Sequence, residues 1–218
     1  PPGSAEAVRR WDEVALTYQP TGQACPRFQL DDVLKPGSAL DLGANAWEVH
    51  AAPGHDPHSV ILFEPATRTL ISADALWANG FGVVFPELEG YSAFAEVEAT
   101  LALIERLNPT LVVPGHGAVF DDVAAALERA RSRLEAYRSA PQRHAAHAAK
   151  VLLKFKLLDL QKSSFQELLA WTNATPYFSV VHSRWFVSVP FQRWIAQLVD
   201  ELVRTGALHR SADMISNV

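Results

Sequence analysis

Three side chains in this sequence have the types and the setting that metal chemistry requires: His55, Asp74 and His116. His55 follows the run Trp47-Glu48-Val49-His50, in the stretch Ala52-Pro53-Gly54-His55-Asp56-Pro57-His58. Asp74 follows Thr69-Leu70-Ile71-Ser72, and His116 follows Leu111-Val112-Val113 in Val112-Val113-Pro114-Gly115-His116-Gly117. In each case an apolar, strand-like run gives out into a turn, the position from which a rigid sheet presents a side chain to solvent. Two imidazoles and one carboxylate form a borderline donor set that suits zinc, with iron(II) and manganese as competitors, because a carboxylate tolerates the harder ions. Taken singly, each residue has a plainer explanation, a solvated loop histidine or an aspartate that caps a turn. The three together point to a metal site.

Read together, the three stretches resemble the second half of a metallo-beta-lactamase-fold hydrolase over about Phe28 to Phe120. The family's Pro-Gly-His at a strand end supplies a ligand of a first metal, its aspartate after an apolar strand bridges two metals, and its Pro-Gly-His-Gly supplies a ligand of the second. The resemblance therefore implies that His55 is a first-metal ligand, Asp74 the bridging carboxylate and His116 a second-metal ligand. It implies one or two zinc ions, iron or manganese being the other possibilities, and an α/β fold: the second half of an αββα sandwich. Two departures stand out. Ala73 occupies the position before the bridging aspartate where the family usually has Gly, a change tolerated if the backbone angle there is ordinary. The family's H-x-H-x-D-H motif, which carries most first-metal ligands and the aspartate that orients the nucleophile, does not occur in these 218 residues. With that motif missing and Pro1 rather than Met at the start, the chain is expected to be a fragment or a truncated gene product.

Composition bounds the class. With 49% hydrophobic and 20% charged residues, the chain reads as an ordinary soluble protein of one or two domains. No apolar run of membrane-spanning length and no signal peptide is present, so a cytoplasmic protein with no membrane partner is expected. Cys25 is the sole cysteine, which excludes an intrachain disulfide and a cysteine-based zinc cluster. Charge is uneven: residues 1–140 carry a net −9 and residues 141–218 a net +4. Such a break signals two modules, expected at 1–140 (the partial hydrolase-like domain) and 141–218 (a helix-rich domain).

The elements that must position the candidate ligands are legible in outline. Residues 1–38, rich in Pro and Gly, read as irregular structure. From Ala39 to Leu76 short apolar runs separated by turn signals describe an antiparallel meander, with His50 inside one strand as a side chain packed on the sheet and His58 not read as a ligand. Trp77 to Tyr91 reads as a loop whose aromatic rings either form a substrate wall or cover the edge of the core. A helix capped by Ser92 runs through Leu107 and is followed by the strand Leu111-Val112-Val113, the crossover expected of an α/β sheet. A further helix continues to about Ser139. Beyond Pro141 come a helix to Leu160, a capping box Ser164-Phe165-Gln166-Glu167 opening a shorter helix through Trp171, an amphipathic helix Pro190–Arg204 and a short strand at Ala207–Arg210. In element order this tail resembles the winged-helix appendage of some family members. His144 and His147, three apart on a helix without a carboxylate nearby, read as surface histidines.

Function follows as an expectation. A metal or metal pair lowers the pKa of bound water to about 7 and polarises the scissile carbonyl or phosphoryl oxygen, so hydroxide attacks an ester, thioester, lactone, amide or phosphodiester; no side-chain nucleophile is needed, and the sequence assigns no catalytic side chain. The partner is then a small-molecule substrate; an overall charge of −5 argues mildly against nucleic acid. Without the absent motif, the 218-residue chain is expected to be an impaired hydrolase. A second reading makes it a non-catalytic fragment, and a third makes residues 141–218 a nucleic-acid or partner-binding module, although Phe191–Arg204 holds only Arg193 and Arg204 as basic residues. The oligomeric state is not legible.

Overall fold

Five strands of the meander and crossover form the sheet that carries all three candidate ligands. The computed structural model describes residues 4–218. In chain order its elements are α1 (Ala5–Arg10), α2 (Tyr18–Thr21), β1 (Ala39–Leu42), β2 (Asn45–Ala51), β3 (Val60–Glu64), β4 (Thr69–Ala73), α3 (Phe85–Glu89), α4 (Phe94–Leu107), β5 (Leu111–Pro114), α5 (Val123–Ser139), α6 (Pro141–Leu160), β6 (Lys162–Ser164), α7 (Phe165–Ala174), α8 (Pro176–Trp185), α9 (Phe191–Arg204), β7 (Leu208–Ser211) and β8 (Met214–Asn217). They divide into two compact units, one of residues up to Arg10 with 29–140 and one of residues 11–28 with 141–218. None of the helices among the described residues is long and apolar enough to cross a membrane.

In the first unit the strands lie in the order β1-β2-β3-β4-β5. β1 to β4 pair antiparallel, as the alternating apolar runs indicate, and β5 adds parallel to β4 after the crossover helix α4. Period-2 patterning sends Ile61 and Phe63 of β3, Leu70 of β4 and Val112 of β5 to one face, where they meet Val97, Leu101 and Ile104 of α4 and Ala126, Leu127 and Leu134 of α5 in one buried cluster. The β3–β4 turn is tied by the Glu64 carboxylate, which accepts from the backbone N–H groups of Ala66 (3.0 Å) and Thr67 (2.7 Å).

Local chemistry explains where these elements differ from expectation. Residues 5–10 and 18–21, read as irregular, are short helices; Glu6 pairs with Arg9 (3.7 Å) and Arg10 (3.4 Å) along α1. Residues 77–91 are not all loop, since α3 lies within them. Ser92 does not cap α4: the Glu87 side chain of α3 reaches forward and accepts from the N–H groups of Ala93 (2.6 Å) and Phe94 (2.8 Å), the free donors that begin the helix. Asp122 caps α5 by accepting from Ala125 N–H at 3.2 Å.

The second unit packs α6 against α8 and α9 and closes with a three-stranded sheet in the order β6-β8-β7. The expected capping box is present at the start of α7: Ser164 Oγ accepts from Glu167 N–H (3.2 Å) while the Glu167 carboxylate accepts from Ser164 N–H (2.9 Å). His144 departs from expectation. It is 1% exposed, on the buried face of α6 with Ala145, Ala148 and Leu152. Burial pushes its pKa down to about 3, with the neighbouring His147 lowering it further. An unfolded chain takes up that proton near pH 6.5, whereas the folded chain resists it until about pH 3, so acid favours the unfolded state between those limits. Stability therefore falls by about 1.4 kcal/mol for each pH unit below about 6.5. Urea midpoints recorded from pH 7 to 4.5 are expected to decline on this slope and to flatten in His144→Leu; an unchanged slope in the variant would assign the acid sensitivity elsewhere.

Candidate metal centre

Topology brings the three candidate ligands to one edge. β2 and β4 each run antiparallel to β3, so they point the same way, and β5 runs parallel to β4. The C-terminal ends of β2, β4 and β5 thus lie on one side of the sheet, and His55, Asp74 and His116 stand just beyond them. His55 Nε2 is 3.3 Å from Asp74 Oδ2, and His116 Nε2 is 3.7 Å from Asp74 Oδ1. His55 and Asp74 are about one-quarter exposed and His116 about one-half.

The hydrogen on His55 Nδ1 follows from its partner. Its Nδ1 is 2.6 Å from the carbonyl oxygen of Val83, which can only accept, so Nδ1 carries a proton and donates it. A neutral imidazole held this way directs its Nε2 lone pair at a carboxylate oxygen. Two acceptors that face each other need a proton or a cation between them, and a backbone carbonyl on the far ring nitrogen is the support that orients a metal-ligating histidine. At Asp74, Oδ1 accepts from Trp77 Nε1 at 3.1 Å, which leaves Oδ2 turned to His55.

The donor set fits a divalent ion in chemistry and is incomplete in number. Among the described residues, no group of three or more His, Cys, Asp or Glu side chains is disposed around one metal ion. Instead the Asp74 carboxylate divides the set, one oxygen toward each histidine, giving two positions with one imidazole and one carboxylate oxygen apiece. A catalytic zinc normally has three protein donors.

Close backbone approach shapes the centre. A Cβ on Gly82 would lie 2.7 Å from His55 Nδ1 and 2.9 Å from Asp74 Cβ; one on Gly115 would lie 2.7 Å from Asp74 Oδ1. Gly82 N–H donates to Asp74 O (2.9 Å) and Gly115 N–H to Ala73 O (2.7 Å), which locks the Asp74 loop to its neighbours. The β4–β5 register shifts between Ile71 and Ala73, and buried Ser72 donates to Leu76 O at 2.6 Å. A bulge beside a site re-aims the side chain that follows, here Asp74.

Ala73 is not in an ordinary conformation. Its φ is 46°, in the left-handed region, so the methyl group stands where glycine would be unstrained. Left-handed backbone costs an L-residue about 1–2 kcal/mol, against about 0.5–1 kcal/mol for the extra entropy of glycine. Ala73→Gly is accordingly expected to raise the unfolding free energy by up to about 1.5 kcal/mol with an unchanged denaturant m-value. A loss of stability would mean that the methyl group packs favourably despite its backbone angle.

Of the aromatic residues that follow Asp74, Trp77 and Phe85 set ring edges against the histidines, Trp77 on His116 (5.2 Å between centroids) and Phe85 on His55 (5.3 Å), while Phe81 is in the core and Tyr91 is 69% exposed. Of the other histidines, His50 contacts Glu48 (2.9 Å) on β2, and His144, His147, His182 and His209 are in the second unit. A cavity of about 270 Å³ in the second unit, lined by Gly22, Leu152, Phe155, Lys156, Asp159 and Trp171 among others, has no metal-donor cluster, and its Lys156 is paired with Asp159 at 3.0 Å.

Against known proteins, the family model described as the metallo-beta-lactamase superfamily matches residues 3–116. A probable metallo-hydrolase of Bacillus subtilis is 29% identical over 113 residues, covering 49% of this chain and 34% of the relative. A hydroxyacylglutathione hydrolase of Mesorhizobium japonicum is 31% identical over 114 residues, covering 50% and 45% respectively, so the chain matches less than half the length of either relative. Among solved structures, a metallo-beta-lactamase family protein from Thermus thermophilus is similar with a TM-score of 0.42 and 18% identity, covering 99% of this chain and 65% of that one.

Proposed function

Because the chain belongs to the metallo-beta-lactamase superfamily, we propose that it carries part of the metal centre of a hydrolase, with His55 and Asp74 holding one ion position and Asp74 and His116 the other. The observation that carries this reading is the Asp74 carboxylate with one oxygen toward each Nε2, at 3.3 and 3.7 Å. A divalent ion bound there supplies Lewis acidity and lowers the pKa of water. Zinc is the first ion to test, with iron and manganese as competitors for the same donors. The protein's own part is orientation: Val83 O fixes the tautomer of His55, Trp77 fixes the carboxylate, and the Phe85 and Trp77 rings limit rotation of the two imidazoles. A small-molecule acyl ester or thioester is the substrate class we favour, a choice supported by the relative named hydroxyacylglutathione hydrolase.

We read the second unit as a winged helix, a reading supported by the order α6, β6, α7, α8, α9, β7, β8 and a sheet in which β8 lies between β6 and β7. Nucleic acid is not its favoured partner. On α9 the exposed Arg193 and Arg204 are accompanied by Asp200, which pairs with Arg210 at 3.1 Å, so the helix lacks the basic face that phosphate contacts need.

With two protein donors at each position, these 218 residues should bind zinc weakly, with a Kd on the order of micromolar or above, and hydrolyse thioesters and lactones barely above background. Calorimetric titration of the purified chain with zinc, followed by an ester and thioester screen, tests this. Absence of any zinc binding would overturn the metal reading, and nanomolar binding with robust turnover would overturn the ligand assignment.

A further inference from the structure

We infer that Trp77 is a positioning residue for the centre, the group that divides the Asp74 carboxylate between the two histidines; the inference rests on the metal reading above. Its indole N–H is the donor that fixes the carboxylate, 3.1 Å from Asp74 Oδ1, and it also approaches Ala73 O at 3.2 Å. That same carbonyl accepts from Gly115 N–H at 2.7 Å, one residue before His116. The Trp77 ring meets the His116 ring edge to face at 5.2 Å, so one side chain touches both halves of the second ion position. A free carboxylate rotates about its terminal torsion over a broad range. With Oδ1 held by the indole, rotation would break that hydrogen bond, and Oδ2 remains on the His55 side.

Trp77 is itself held in place. Residues 77–80 form a tight turn closed by reciprocal backbone bonds, Trp77 N–H to Gly80 O (2.6 Å) and Gly80 N–H to Trp77 O (3.2 Å). From α5, Arg129 Nε donates to Ala78 O at 2.7 Å, and the Arg133 guanidinium lies against Gly80 so closely that a Cβ there would be 2.6 Å from its central carbon. The helix thus braces the turn, the turn aims the indole, and the indole aims the carboxylate. Outer-shell partners of metal ligands typically carry about 10–100-fold in metal affinity.

The test uses the whole chain and two readouts. Trp77→Phe keeps a ring against His116 and removes the N–H; it is expected to bind zinc about 10-fold or more weakly by calorimetry. In the zinc-free chain, the Trp77 indole proton–nitrogen resonance, assigned through bonds from the Trp77 backbone in the unsubstituted chain, is expected to move when Asp74→Ala removes its acceptor. A folded Trp77→Phe with wild-type zinc affinity, or an indole resonance that Asp74→Ala leaves in place, would overturn the inference. If Trp77→Phe does not fold, the resonance decides alone. Wild-type chain that takes up no zinc while the resonance still moves would defeat the metal reading and leave Trp77 as the group that holds the carboxylate.

Discussion

Asp74→Ala is expected to remove zinc binding from both positions at once. Each histidine faces a different oxygen of the same carboxylate, so this one substitution leaves a lone imidazole at each position, whereas loss of either histidine spares the other pair. Its effect should therefore exceed the roughly 10–100-fold typical of outer-shell changes, placing the variant's affinity more than about 100-fold below that of the unsubstituted chain. Zinc at about 100 times the Kd should stabilise the unsubstituted chain by about 2.7 kcal/mol, and the same concentration should stabilise Asp74→Ala by less than about 0.4 kcal/mol. In the absence of zinc the two proteins should differ little, because Asp74 is a quarter exposed and its loss deprives Trp77 of one hydrogen bond, a contribution of about 0.5–1.5 kcal/mol. Equal stabilisation of both proteins by zinc would place the ion elsewhere.

What made the meeting of His55, Asp74 and His116 legible in the sequence was the conjunction of strand ends with turn residues. Short apolar runs bounded by Pro and Gly dictated the meander, and the helical period of Phe94 to Leu107 dictated the crossover that makes β5 parallel to β4. Those two facts fix which strand ends share an edge, and so which of the eight histidines meet at Asp74. The supports of the centre were not legible, because they are tertiary. Val83 contributes only a carbonyl, Glu87 caps a helix across a turn, and Arg129 reaches a backbone oxygen 51 residues away in sequence. His144 was misjudged for a related reason: the lack of a nearby carboxylate argued against a metal site, but only the packing of α6 reveals that the ring is inside. Ala73 marks a third kind of miss, since no side-chain pattern discloses that a residue at the end of a strand has crossed into the left-handed region.

The glycines at the centre lead to the second large effect: Gly82→Ala should destabilise the chain and abolish zinc binding together. The added methyl would meet His55 Nδ1 at 2.7 Å and Asp74 Cβ at 2.9 Å, both closer than carbon atoms tolerate. His55 cannot simply swing aside, because its Nδ1 donates to Val83 O at 2.6 Å, and Asp74 Cβ is one bond from a backbone fixed by the bond from Gly82 N–H to Asp74 O. Relief must come from moving one or both candidate ligands, and overpacking of this kind costs about 1–3 kcal/mol. Gly206→Ala provides the comparison. Gly206 lies in the second unit at a φ of 76° with open space around its Cβ position, so alanine there incurs left-handed strain of about 1–2 kcal/mol without touching a ligand. Urea denaturation should reveal a loss in each variant, the smaller in Gly206→Ala because alanine recovers the roughly 0.5–1 kcal/mol that glycine's entropy costs, while calorimetry should separate them: zinc affinity kept in Gly206→Ala and lost in Gly82→Ala. Retention of full zinc affinity by Gly82→Ala would mean that the Asp74 and His55 loops part without disturbing their donors, and that the tight packing of this edge is not what sets the geometry of the ligands.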